Sequence, residues 1–253
     1  QYMFDVTETE DECLFDLTQK TGRGKDDEQK TTIGFTIMKV EENRKYRCHQ
    51  LQDIIKSSTF KNSRGIFLRH TLKKGRYVAI VCTFEAGVNG LHLFRIYTTN
   101  ANHATELQKD KPDNHFVSCL PCFKYPTAVT RVKLLRAVGL EKKDRIGGAD
   151  PYCFLVCEGH KERTPVIKDT LNPEWNSALL FYRRDPNSNP IEIQIWNSNP
   201  IKDDFLGRHI FPCTSDEDNK VYEVTLQDRD KDGGSRPGKL FVQITTNRNI
   251  QYL

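Results

Sequence analysis

The stretch GGADPYCFLVCEGHKERTPVIKDTLNPEWN, residues 147–176, decides how the second half of this chain reads. Two glycines mark a loop, and Pro151 suits the first position of a strand, where no ladder donor is needed. The apolar run 153–157 follows, then a basic segment, an Asn172-Pro173 turn and Trp175. Asp150 therefore stands at a loop-to-strand junction. A carboxylate there can meet solvent, cap a turn or face a cation.

Short β-like runs recur on both sides of this stretch. Before it, IGFTIMKV (33–40) places Ile33, Phe35 and Ile37 on one face. GIFLRHT, RYVAIVCTF and LHLFRIYTT follow, broken by KKG and EAGVNG. After residue 126 come TAVTRVKLLRA, YCFLVCE, RTPVIK, ALLFYRR, PIEIQIWN, FLGRHIF, VYEVTLQ and GKLFVQITT. Strands at this spacing predict antiparallel sandwiches rather than βαβ units. A short helix is expected only near HQLQDIIKSS, 49–58. Between 109 and 127, Pro112, Pro121 and Pro126 interrupt the pattern and suggest a linker. The reading is all-β, with two antiparallel β-sandwiches in tandem: 1–118, a linker over 119–126, and 127–253. TGRGKDDEQK (21–30) reads as a solvated, charged insertion.

Composition narrows the function. The 253 residues carry 38 basic and 34 acidic side chains, for a net charge of +4. That near balance gives no electrostatic case for a nucleic-acid partner. No apolar run approaches the ~20 residues of a membrane-spanning helix. The chain opens on Gln1 within QYMFDV and reads as a piece of a longer protein. Eight cysteines are scattered, mostly inside apolar segments. They read as reduced thiols of a cytoplasmic protein, with a secreted disulfide framework as the alternative.

Catalytic motifs are poor. Cys119 and Cys122 form a single CxxC with His115 just upstream, but a structural zinc site needs four ligands. Linker thiols are the plainer reading. No histidine pairs with a recognisable nucleophile motif, so no catalytic residue is expected here.

Oxygen-bearing residues gather instead in two loops. KKDRIGGADPY places Asp144 and Asp150 at the ends of one. IWNSNPIKDDFLG (195–207) places Asn197, Asn199, Asp203 and Asp204 in the other. Ca²⁺ takes oxygen ligands from flexible loops, and these groups converge if both loops lie at one end of a sandwich. The alternative is that Asp150 caps its loop and the asparagines make Asx turns. Arg145-Ile146 and Ile201-Lys202 each set an apolar side chain beside a cation at a loop tip, which suits an anionic phospholipid membrane. Packing of the isoleucines against a neighbouring domain is the rival reading. Lys161 and Arg163 share one strand face, basic or merely solvated.

D-x5-D-P-Y, T-L-N-P-E-W-N and I-W-N-x-N…D-D-F-L-G together resemble the C2 domain over roughly 127–253. The resemblance implies an eight-stranded sandwich that commonly binds Ca²⁺ and phospholipid. Asp144 and Asp150 match the two aspartates of the family's first loop. In the third loop, Asn197 and Asn199 stand where D-x-D is usual, and Asp204 matches the last aspartate. The loop is one residue short, which makes Asp203 the alternative. About three negative charges in place of about five imply weaker Ca²⁺ binding. In some C2 domains a basic strand like that of Lys161 and Arg163 binds phosphoinositides.

GFTIMKVEENRKYR, NSRGIFLR and GRYVAIVCTFEAG…LHLFRIYT resemble calpain domain III. A domain III followed by a C2 domain, without a D-x-D-x-D-G EF-hand loop, looks like the calpain-5/calpain-6-like group. The resemblance implies a cysteine protease core upstream in the same parent chain, holding all catalytic residues. It implies a regulatory region in the cytoplasm that docks peripherally on membranes with Ca²⁺. The alternative is a Ca²⁺-independent module for cytoskeleton, such as microtubules, or for another protein, in a catalytically inactive calpain-6-like chain.

Overall fold

The computed structural model describes residues 1–20, 30–114, 125–143, 147–212, 220–229 and 234–251. Among these residues every regular element is a strand, and all strand pairs are antiparallel. The chain forms two compact units, Gln1–Pro112 and Asp113–Leu253. Most of the expected linker, 119–124, lies outside the described residues, as do residues 21–29 of the charged insertion.

The first unit is built on two long strands, β1 (Tyr2–Gln19) and β5 (Gly65–Thr83). They pair from Tyr2↔Ala79 to Thr18↔Gly65, with a register shift between Val6 and Glu10. A bulge of this kind bends a strand and raises its local twist. The rings of Phe4 and Phe15, on either side of the shift, have centroids 5.5 Å apart. A straight strand would separate them by ~36 Å at ~3.3 Å per residue. The β1–β5 ribbon therefore folds over its bulge, and both limbs face one core. Phe35 from β2 (Thr32–Lys39) and Tyr77 from β5 complete the aromatic centre. Burying each phenylalanine contributes about 1.5–3 kcal/mol. Ile33, Phe35 and Ile37 are buried together, as the alternation in IGFTIMKV predicts.

The sheet runs β3-β2-β5-β1-β6, where β3 is Ile54–Ser57 and β6 is His92–Tyr97; β4 (Lys61–Asn62) pairs with β2 and β7 (Thr105–Glu106) with β1. The helix expected over 49–58 does not form: Ile54–Ser57 is β3, paired with Met38–Thr36. Two β-branched residues beside an open edge of β2 favour pairing over a helix with no buried face. Asp53, at φ +43°, turns the chain into the strand.

The second unit has eight strands among its described residues: β8 (Ala128–Val138), β9 (Pro151–Cys157), β10 (His160–Arg163), β11 (Glu174–Arg183), β12 (Ile191–Asn197), β13 (Asp204–Phe211), β14 (Val221–Gln227) and β15 (Ser235–Asn247). Their order is β10-β9-β12-β13-β14-β15-β8-β11. The β13–β14 junction is one register pair, Arg208↔Gln227. On either side of that seam, Leu155, Ile193 and Ile195 face Leu134, Leu179 and Val242 in one shared core. A sheet that hinges on one pair and closes over one core is a sandwich. The expected strand RTPVIK ends at Arg163. Pro165 has no N–H for a ladder, and Thr164 and Ile167 instead donate singly to Cys153 and Pro151.

Candidate functional site

Three strand ends meet at one rim of the second sandwich. Asn197, the last residue of β12, pairs with Pro151 at the start of β9 and with Asp204 at the start of β13. The loops before Pro151 and between Asn197 and Asp204 are therefore neighbours. The backbone N–H of Asp150 donates to Asn197 Oδ1 at 2.5 Å, and Ser198 N–H returns a bond to Asp150 O at 2.9 Å. A third segment joins them. Asp169 N–H donates to Asp150 Oδ1 at 2.8 Å, while Asp169 Oδ1 accepts from Gly148 N–H at 2.7 Å. Gly147, at φ +87°, leaves room for this carboxylate: a Cβ there would lie 2.5 Å from Asp169 Oδ1.

The 197–204 loop is tied internally. Asn199 N–H donates to Asp203 Oδ1 at 2.8 Å, and Tyr152 OH donates to Asp203 Oδ2 at 2.6 Å. The amide of Asn199 donates to Asp204 Oδ2 at 2.8 Å and to Lys202 O at 3.2 Å. The Tyr152 phenol, then the Asn199 N–H, hold the Asp203 carboxyl below the usual carboxylate range. Burial, then Asp203, pushes the Tyr152 phenol up to about 12.

Of the sequence-derived ligand set, Asp150, Asn197, Asn199, Asp203 and Asp204 come together here. Asp144, with Arg145 and Ile146, lies outside the described residues. The described members do not by themselves fit Ca²⁺, which wants six to eight oxygens at about 2.3–2.6 Å. Asn197 is fully buried and turns its oxygen onto backbone, and both Asp203 oxygens are engaged. Asn199 presents N–H donors where a cation would need oxygen. Among the described residues no group of three or more His, Cys, Asp or Glu side chains could hold a metal ion. Cys119, Cys122 and His115 lie outside those residues.

At the tip of the same loop, Ile201 is 99% exposed and Lys202 is exposed beside it. Lys161 and Arg163 are exposed on the edge strand β10. The Arg163 guanidinium stacks over the Tyr152 ring at 4.8 Å, so the basic strand reaches the loop network through that tyrosine. On the same outer face, Arg229 lies over Trp196 at 4.2 Å and Phe205 at 4.3 Å, clamping both feet of the loop. Sequence reasoning missed Tyr152, Asp169 and Arg229 as site residues. The first two stand inside quoted motifs, D-P-Y and the approach to T-L-N-P; Arg229 follows a strand end with no local signal.

The residues around this rim match a known family. Residues 128–227 match the family described as C2 domain, and residues 1–97 match calpain large subunit, domain III. Calpain-5 of Rattus norvegicus is 40% identical over 254 aligned residues, which takes in 99% of this chain. The chain is thus similar to calpains over nearly its whole length. It spans 39% of the rat relative's length. Calpain-5 of Caenorhabditis elegans is 28% identical over 100% of the chain and 38% of its own length. Among solved structures, a C2 domain of plant extended synaptotagmin 1 aligns with 49% of the chain and 97% of its own, at 30% identity and a TM-score of 0.44. No helix among the described residues is long and apolar enough to cross a membrane.

Proposed function

We propose that this chain is a non-catalytic regulatory region of a calpain-5-like cysteine protease, and that its C2 unit docks on anionic phospholipid through the 197–204 tip. Ile201 enters the interface, Lys202 meets lipid phosphate, and Lys161 and Arg163 add a basic contact on the neighbouring strand. The protein then works in the cytoplasm and peripherally at membranes, and its upstream protease core acts where the C2 unit places it.

The observation that carries this reading is the nearly complete exposure of Ile201 on a loop whose backbone is fixed by Asp203. A held apolar tip has already lost the chain entropy that insertion would otherwise cost. Because Tyr152 and Asn199 hold the loop, docking is read as independent of Ca²⁺. A second reading, docking that requires Ca²⁺, is favoured by Oδ2 of Asp150 and Oδ1 of Asp204, which take no hydrogen bond among the described residues. Asp144 would be their partner. The cytoskeletal alternative has no residue here that favours it.

Co-sedimentation with phosphatidylcholine/phosphatidylserine vesicles separates these readings. Binding in EGTA is expected. Ile201→Asp should weaken it about 10–100-fold, from ~1.5–3 kcal/mol of lost apolar burial. Lys202→Glu should weaken it by at least fivefold, at ~1 kcal/mol per cation. Binding that appears only with Ca²⁺ selects the second reading. Binding that ignores Ile201 and Lys202 overturns the tip.

A further inference from the structure

The first unit holds a cavity of about 530 Å³ at one end of its sandwich, between the ends of β1, β2 and β5 and the 88–91 turn. That volume lies in the range of small-molecule sites, about 300–1,000 Å³. Its apolar lining is Leu17, Ile33, Val81, Val88 and Leu91, and polar side chains make up most of the rest. Leu91 forms a lip. Its carbonyl is fixed by Lys20 N–H at 2.8 Å, yet its side chain is 70% exposed. The turn is held by Thr83, whose hydroxyl lies within bonding distance of Glu85 O and Val88 O.

The polar groups at the mouth are one-sided. Lys20 and Asn89 line the cavity with Gln19, Thr31 and Thr83. The Gln19 amide is already bonded to Thr31 and Ser63, and no carboxylate lines the cavity among the described residues. Neither the Lys20 ammonium nor the Asn89 amide has a side-chain partner among those residues. His92 is already engaged with Tyr2 OH at 2.8 Å. Partial desolvation raises the exposed Cys82 thiol above its ordinary range, so this lining residue adds no negative charge at neutral pH.

We propose that this cavity binds a single-chain anionic amphiphile, a fatty carboxylate, with its tail along the apolar walls and its carboxylate on Lys20 and Asn89. The site belongs to the domain III unit and does not depend on the C2 reading. An uncharged apolar ligand would leave the two donors unused, and a cationic one would face Lys20.

Cys82 provides a local readout. It is exposed, whereas Cys13, Cys48, Cys153 and Cys157 are buried. With Cys119, Cys122 and Cys213 replaced by serine in the full chain, maleimide labelling reports Cys82. Monomeric laurate, below its micelle concentration, should slow labelling saturably. Each methylene removed from the tail should weaken protection about fourfold, the equivalent of ~0.8 kcal/mol. Dodecyltrimethylammonium should not protect. Lys20→Glu should weaken laurate at least tenfold, Lys20→Arg should retain it, and Ile201→Asp should leave it unchanged. Equal protection by the cationic amphiphile, indifference to Lys20→Glu, or no protection at all would each overturn the proposal.

Discussion

The phenol of Tyr152 donates to the carboxylate of Asp203 at 2.6 Å, joining the second residue of β9 to the loop that carries Ile201. Tyr152 is 2% exposed, and Arg163 lies over its ring. One side chain thus links the basic strand to the proposed docking tip.

Tyr152→Phe removes that donor with little change in volume. The loss should be about 1–2 kcal/mol at neutral pH, as for a hydrogen bond to a charged acceptor. The Asp203 pKa is depressed in the folded state, so its contribution is present above the unfolded carboxylate pKa and fades as pH falls through the folded one. The Tyr152 pKa is raised to about 12, so its contribution is present below the unfolded phenol pKa and fades as pH rises from there through the folded one. Urea unfolding of both proteins should show their gap widest near neutrality, closing below about pH 4 and above about pH 10.

Asn199→Asp replaces the amide that donates to Asp204 with a like charge. In EGTA the variant should unfold at a lower temperature than the parent. Millimolar Ca²⁺ should raise the variant's Tm by ligand linkage and leave the parent's unchanged. A parent Tm that rises with Ca²⁺ would favour the Ca²⁺-dependent reading of the tip.

Phe4 and Phe67 lie on the paired strands β1 and β5 but are buried differently, at 0% and 79% exposure. Phe4→Ala should cost about 3–5 kcal/mol, because it empties the core where the ribbon folds over. Phe67→Ala should stay within about 0.5 kcal/mol. Chemical denaturation with an intrinsic tryptophan probe will not serve, since both tryptophans are in the second unit; hydrogen exchange of first-unit amides will.

Arg183 and Glu158 form a buried pair at the other end of β9 and β11, with side chains 0% and 8% exposed. Glu158 also accepts from Arg184 N–H at 2.7 Å and Asp185 N–H at 3.1 Å. Glu158→Ala should cost about 3–5 kcal/mol, since it takes the carboxylate away from a buried guanidinium. Arg183→Met in the Glu158→Ala background should recover part of that loss in urea unfolding.

Much of the fold was legible locally. Alternation in IGFTIMKV gave a buried face of Ile33, Phe35 and Ile37 because a strand's side-chain period is two. Pro151 opened β9 because that position needs no donor. HQLQDIIKSS misled, because the free edge of β2 lies far from it in sequence and only pairing makes Ile54 a strand residue. RTPVIK misled less: its apolar and branched residues suit a strand, but Pro165 breaks the ladder.

By itself, the sequence determined two all-β units, because strand period, turn residues and motif order are local properties. It also brought Asp150 and the 197–204 oxygens under suspicion as one group. Only the tertiary structure decided what those oxygens do. Whether a carboxylate waits for a cation or is already bonded depends on donors such as Tyr152 and Asn199 arriving from specific directions within about 3 Å. Spacing along the chain does not encode direction. The same holds for the bend at Val6–Glu10, where a register shift sets Phe4 against Phe15, and for the cavity beside Lys20, which exists only where strand ends far apart in sequence converge.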